Sequence, residues 1–187
     1  MEKRKVINSA VLLDSSSVRE SEEGLRFTAV LKVFGRPNGN GEIADPAAYD
    51  EFVKKYYEQG GYCLPLCYMH DERHIIGTVE RMERDDERLT VQCLVFAAAP
   101  DYRYISSLVR SGVLGGVSDG SICYGYADDE GYHVQTAQMV EVSLVTVPAE
   151  IAANVIVTNT LTSGFSQPDD KNNRGGVETL FRPDLFV

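Results

Sequence analysis

The residues from Leu25 to Phe34 (LRFTAVLKVF) are dense in β-branched and aromatic side chains and predict a strand. Glycine and proline break that pattern at once, so Gly35–Gly41 (GRPNGNG) reads as a loop. Upstream, residues 6–13 alternate weakly, which suggests a short strand ending at the polar run Asp14-Ser15-Ser16-Ser17, where a turn is expected. Asp45-Pro46 has the chemistry of a helix start, with Asp as N-cap and Pro at the first helical position. Tyr49, Phe52, Val53 and Tyr56 recur behind it at helical spacing, and Gly60-Gly61 supplies the stop.

Tyr62–His70 (YCLPLCYMH) predicts a buried strand in which Pro65 demands an edge or a bulge. Ile75–Arg84 and Arg88–Ala97 form a hairpin around Asp85-Asp86-Glu87. Ala99-Pro100-Asp101 opens a second helix, with Ile105, Leu108 and Val109 on one face and Gly112 at its end. Gly115–Tyr126 and Tyr132–Val147 are two further strands, followed by a helical turn at Ala149–Ala153 and the segment Asn154–Val157. From Ser163 the chain turns polar, with Gly and Pro, and reads as a flexible extension whose last residues (LFRPDLFV) are apolar enough to dock. The expected organisation is one domain over residues 1–162 and a tail over 163–187. The domain is mainly β with flanking helices (α+β), a barrel or closed sheet.

A chain of 187 residues, 43% hydrophobic and 25% charged, has the length and composition of a soluble globular domain with a real core. No apolar run approaches the roughly 18 residues of a membrane helix. Ala10–Leu13 is too short for a signal-peptide core of about 7–15 residues, so no membrane and a cytoplasmic location are expected. A net charge of −10 opposes nucleic-acid binding, which needs a basic surface. Cys63, Cys67, Cys93 and Cys123 sit in apolar strand-like runs, where free cysteine acts as a small hydrophobe.

Three histidines narrow the search for chemistry. His70 ends an apolar strand and precedes an expected loop; that placement suits a general base as well as a surface residue. His74 belongs to the loop, and His133 to a hairpin edge. Ser118 lies among glycines (Gly115-Gly116-Val117-Ser118-Asp119-Gly120), which let a substrate approach the backbone or simply make a turn. The G-x-S-x-G spacing is formal only, since a strand rather than a helix follows. Glu141 in an apolar strand needs a partner if buried, whereas strict alternation puts it on a wet face with Ser143 and Val145. A zinc site from Cys63, Cys67, His70 and His74 is disfavoured, because the Cys67–His70 gap is short and a strand points the two to opposite faces. No cofactor is expected.

Taken in order, these segments resemble the prohead (procapsid maturation) serine proteases of tailed bacteriophages, relatives of the herpesvirus assemblins. The blocks are Phe27–Phe34, Leu64-Pro65-Leu66-Cys67-Tyr68-Met69-His70-Asp71, Ile76-Gly77-Thr78-Val79, Gly116-Val117-Ser118-Asp119-Gly120 and Glu141-Val142-Ser143-Leu144-Val145-Thr146-Val147-Pro148-Ala149. The resemblance implies a closed or partly open β-barrel of the assemblin type. It makes Ser118 the nucleophile, His70 its base and Glu141 the third member, with His133 as the alternative third member. Relatives often carry Ser-Ile-Gly at the serine, so Ser121, which precedes Ile122, is the alternative nucleophile. With Ser118 as nucleophile, Asp119 directly after it must turn its charge away from the developing oxyanion. Oxyanion donors are sought in the Gly115–Gly116 loop or near the second helix, with Arg110 as a side-chain candidate. The implied partners are the major capsid protein and its scaffold or delta segments, cleaved inside the assembling procapsid in the host cytoplasm, and a homo-oligomer is left open. The competing account is a β-barrel capsid-assembly module without chemistry.

Overall fold

The computed structural model describes residues 2–58, 60 and 64–146. In chain order the elements are strands β1 (Glu2–Ser21), β2 (Gly24–Val33) and β3 (Glu42–Ala44), then a 3-10 turn at Pro46–Tyr49 that runs into helix α1 (Asp50–Glu58). Strands β4 (Pro65–Tyr68), β5 (Asp71–Arg84) and β6 (Arg88–Phe96) lead to helix α2 (Tyr102–Arg110), and β7 (Gly116–Ala127) and β8 (Tyr132–Val145) complete the set. The strands pair in the order β3-β8-β4-β5-β6-β2-β1-β7, and β7 also pairs with β8. All pairings are antiparallel except those of β3 and β4 with β8, which are parallel. Among the described residues no helix is long and apolar enough to cross a membrane.

Period-2 alternation builds the sheet. Leu25, Phe27, Ala29 and Leu31 of β2 are buried, as are Leu89, Val91, Cys93 and Val95 of the adjacent β6. Each large side chain among them stabilises the fold by about 1.5–3 kcal/mol through burial. Asp45 caps the 3-10 turn by accepting the Ala47 N–H at 2.8 Å, and Tyr49 and Tyr56 carry that segment into the core. α2 inserts Ile105 and Val109. Gly77 is obligatory where β5 meets β6, because a Cβ there would lie 1.9 Å from the Leu94 carbonyl oxygen.

Several expectations shift. The polar run at residues 14–17 is no turn: β1 runs through it with a register shift between Asp14 and Arg19. Ser17 makes this tolerable, since its hydroxyl accepts the Thr28 N–H (2.7 Å) and donates to the Thr28 carbonyl (3.3 Å) in place of main-chain partners. β5 begins at Asp71, so His74 lies in a strand and not in a loop. β3 is too short for a pattern to reveal. Ser118 lies inside β7, not in a turn. The expected elements at residues 149–157, the tail at 163–187 and Cys63 lie outside the described residues.

One polar feature interrupts the core. A register shift between Val30 and Lys32 turns Lys32 inward beside Leu31, and its ammonium meets Asp119 of β7 at 2.8 Å, the two side chains 7% and 1% exposed. Ser121 donates a short hydrogen bond to the other Asp119 oxygen, and the Lys32 ammonium sits 5.9 Å from the Tyr49 ring centre. Burial alone lowers an amine's pKa, but the Asp119 carboxylate outweighs it and holds Lys32 above the ordinary lysine range. Removing one partner of such a pair strands the other charge. Lys32→Met is therefore expected to lower the unfolding free energy by about 3–5 kcal/mol in urea titrations, and Lys32→Met with Asp119→Leu by less.

Candidate active site

β4 and β5 form a hairpin whose loop is only Met69-His70, with Tyr68 paired to Asp71. Both loop residues have positive φ, 53° and 61°, the backbone that a two-residue type I′ turn requires. Asn-Gly is the usual solution, and placing two side chains in the left-handed region costs about 1–2 kcal/mol per residue. Two hydrogen bonds from the turn to β8 hold it there: Met69 N–H donates to the Leu144 carbonyl and His70 N–H to the Ser143 hydroxyl, both at 3.0 Å. The parallel register of β4 against β8, with Cys67 opposite Ser143, sets those distances.

The imidazole is held as firmly as the backbone. His70 Nδ1 lies 2.8 Å from Glu141 Oε1, and the Ser143 hydroxyl donates to Glu141 Oε2 at 2.6 Å. A carboxylate offers only lone pairs, so Nδ1 carries the proton and Nε2 keeps a free lone pair. Ser143 closes the circuit, accepting from the His70 main chain while donating to the carboxylate that orients the His70 ring. Glu141 and Ser143 do share a face, as alternation requires, but that face is dry: they are 3% and 0% exposed. Gly120, opposite Glu141, leaves the space its carboxylate occupies, since a Cβ there would lie 2.6 Å from Oε1.

Ser118 stands opposite Ser143 across the β7–β8 ladder, so the two hydroxyls share that face. Ser118 Oγ and His70 Nε2 are both buried without a hydrogen-bond partner. An orphaned buried polar atom costs about 1–3 kcal/mol, so the fold carries two such costs at this place.

The other candidates go elsewhere. Asp119 and Ser121 alternate to the opposite face of β7, into the core with Lys32. His133 sits at the far end of β8, stacked on Tyr126 at 4.7 Å and bonded to Asp128. His74 packs against Tyr68 and bonds Asp101 at 3.1 Å, tying β5 to the start of α2, so Asp101 makes no side-chain cap. Arg110 is ion-paired with Glu20 of β1. Burial pushes the Cys67 thiol up to about 11 and the Cys123 thiol up to about 12, which keeps both protonated. Among the described residues no group of three or more His, Cys, Asp or Glu is placed to hold a metal ion. Sequence reading gave Ser143 no part in this circuit, and its one signal was its position two residues after Glu141 on the same face.

Residues 13–167 match the family model of the caudovirus prohead serine proteases. The chain therefore belongs to the caudovirus prohead serine protease family, and it is a serine protease of capsid maturation. Among solved structures, the bacteriophage T4 capsid assembly protease, gp21, is similar in fold, with a TM-score of 0.63 at 13% identity over 78% of this chain and 99% of that one. No curated protein matches.

The circuit makes the ring's support testable. Gly120→Ala pushes on the Glu141 carboxylate, and Ser143→Ala removes its second partner together with the acceptor for His70 N–H. Each is expected to lower kcat on the order of tenfold or more with little change in KM, measured on a capsid protein substrate. Activity equal to that of the unsubstituted protein in both variants would show that the carboxylate's position is unimportant.

Proposed function

We propose that Ser118, His70 and Glu141 are the nucleophile, base and orienting carboxylate of this protease. The observation that carries the reading is the pair of unpartnered buried atoms, Ser118 Oγ and His70 Nε2, on the face where Glu141 fixes the imidazole. With Nδ1–H held by Glu141, Nε2 takes the Ser118 proton as Oγ attacks the scissile carbonyl carbon. The imidazolium, stabilised by Glu141, then protonates the leaving amine, and water releases the acyl group by the same relay in reverse. Asp119 pairs with Lys32 on the other face of β7, which keeps its charge away from the oxyanion that forms at Ser118.

The substrates are the major capsid protein and its scaffold or delta segments, cleaved inside the procapsid in the host cytoplasm. Membership of the prohead family supports this. The pairing that leads from β7 back to β8 supports a closed barrel of the assemblin type. The change to polar composition at Ser163 supports a protease domain over residues 1–162 and a tail at 163–187.

Ser118→Ala is expected to abolish processing of a co-expressed capsid protein while circular dichroism stays unchanged and the unfolding midpoint does not fall. Glu141→Gln keeps the shape, removes the charge and should lower kcat by on the order of 10⁴. Full processing by the Ser118→Ala protein would remove that serine from the mechanism.

A further inference from the structure

We propose that an extended segment of the substrate chain adds as a strand to the open edge of β8, in the cleft beside α1, with an apolar side chain seated there about four residues from the scissile bond. This deepens the reading of Ser118 as nucleophile and rests on it.

One edge of β8 is paired with β7 throughout. The other is used only at its two ends, by β3 at Tyr132–Val134 and by β4 at Val142–Leu144. Between them, among the described residues, nothing outside β7 hydrogen-bonds the main chain of Gln135–Val140. A strand edge left open between two paired stretches is a template for one more extended chain, and main-chain pairing is how such a chain is recognised.

The cleft beside this edge has a volume of about 620 Å³ and lies between α1 and the β7–β8 pair. That is the size of an ordinary ligand site, roughly 300–1,000 Å³. Ala137 and Met139, buried as whole residues, line it beside the exposed Thr136 and Gln138 of the same strand. Phe52 of α1 and Ile122 of β7 supply the apolar wall for a side chain. Lys55 stands at the rim, already paired with Glu51 at 2.6 Å, so the cleft makes no demand for a charged group.

Position relative to the chemistry follows from the strands. Ile122 and Tyr124 follow Ser118 on the same face of β7, and at ~3.3 Å per residue Ile122 is ~13 Å from Ser118. An extended substrate covers that distance in about four residues. The edge also ends at Glu141, so a chain added there points toward the His70 turn.

The experiment uses the full chain and a co-expressed or purified capsid protein as substrate. Ile122→Arg and Thr136→Arg place charge at the cleft wall on partly or fully exposed positions of the same pair of strands. Each is expected to lower kcat/KM for capsid protein processing about tenfold or more, the scale of losing one apolar subsite. Labelling of Ser118 by a small fluorophosphonate, which does not extend into the cleft, reports the serine separately. In Ser118→Ala mixed with capsid protein, the Ala137 and Met139 amides should gain protection from hydrogen exchange. Unaltered processing in both arginine variants overturns the proposal. So does a parallel loss of labelling and processing, which would make the cleft a structural support only. Protection of those amides already in the free protein also overturns it, because the chain's own residues would then fill the edge. A wild-type protein that processes substrate but is not labelled at Ser118, while both arginine variants lose processing, sinks the serine assignment and leaves the cleft standing.

Discussion

The contact between His70 Nδ1 and Glu141 Oε1 is the interaction from which the rest of the site follows. It decides which ring nitrogen carries a proton, and it places the other nitrogen on the face of the sheet that bears Ser118. Neither residue could hold this arrangement alone. Glu141 is buried, where an unpaired carboxylate is costly, and His70 lies on a turn that its own residue type disfavours. Ser143 joins the two problems, binding the carboxylate with its proton and the turn with its lone pair.

β8 is the frame that makes this possible. It carries Glu141 and Ser143, pairs with the Ser118 strand β7 along one edge and receives β4, and with it the His70 turn, on the other. The parallel β4–β8 register and the antiparallel β7–β8 register are each fixed by a hydrophobic face, since a slip of one residue would expose Val142 and Leu144 and bury polar groups. Core packing thus sets the positions of His70, Ser118 and Glu141. The Lys32–Asp119 pair adds a constraint from behind: β7 is held on its inner face by an ion pair at the residue next to Ser118.

Most of the framework was legible from alternation. The strand from Leu25, the hairpin around Asp85-Asp86-Glu87, both helix starts and the two long C-terminal strands follow the pattern of their side chains. His70, Ser118 and Glu141 were singled out from their surroundings and from a family resemblance, and the fold brings His70 and Glu141 into contact on the face that carries Ser118. What alternation could not reveal lies where the backbone departs from regularity. Met69-His70 carries none of the glycine or asparagine that announces a type I′ turn. Lys32 enters the core only because of a bulge, and Ser17 hides another by replacing ladder bonds with its hydroxyl. Glu141 and Ser143 looked equally suited to a wet face, because a single strand's pattern cannot say whether a hairpin from elsewhere will cover it.

The left-handed turn at Met69-His70 also bears on how this enzyme fails. Its unfavourable backbone is restrained by two hydrogen bonds to the last residues of β8, whereas the sheet is secured by a large apolar core. Local opening at the turn costs far less than unravelling the strands. Loss of the turn would therefore free the His70 imidazole while the strands around it are still paired.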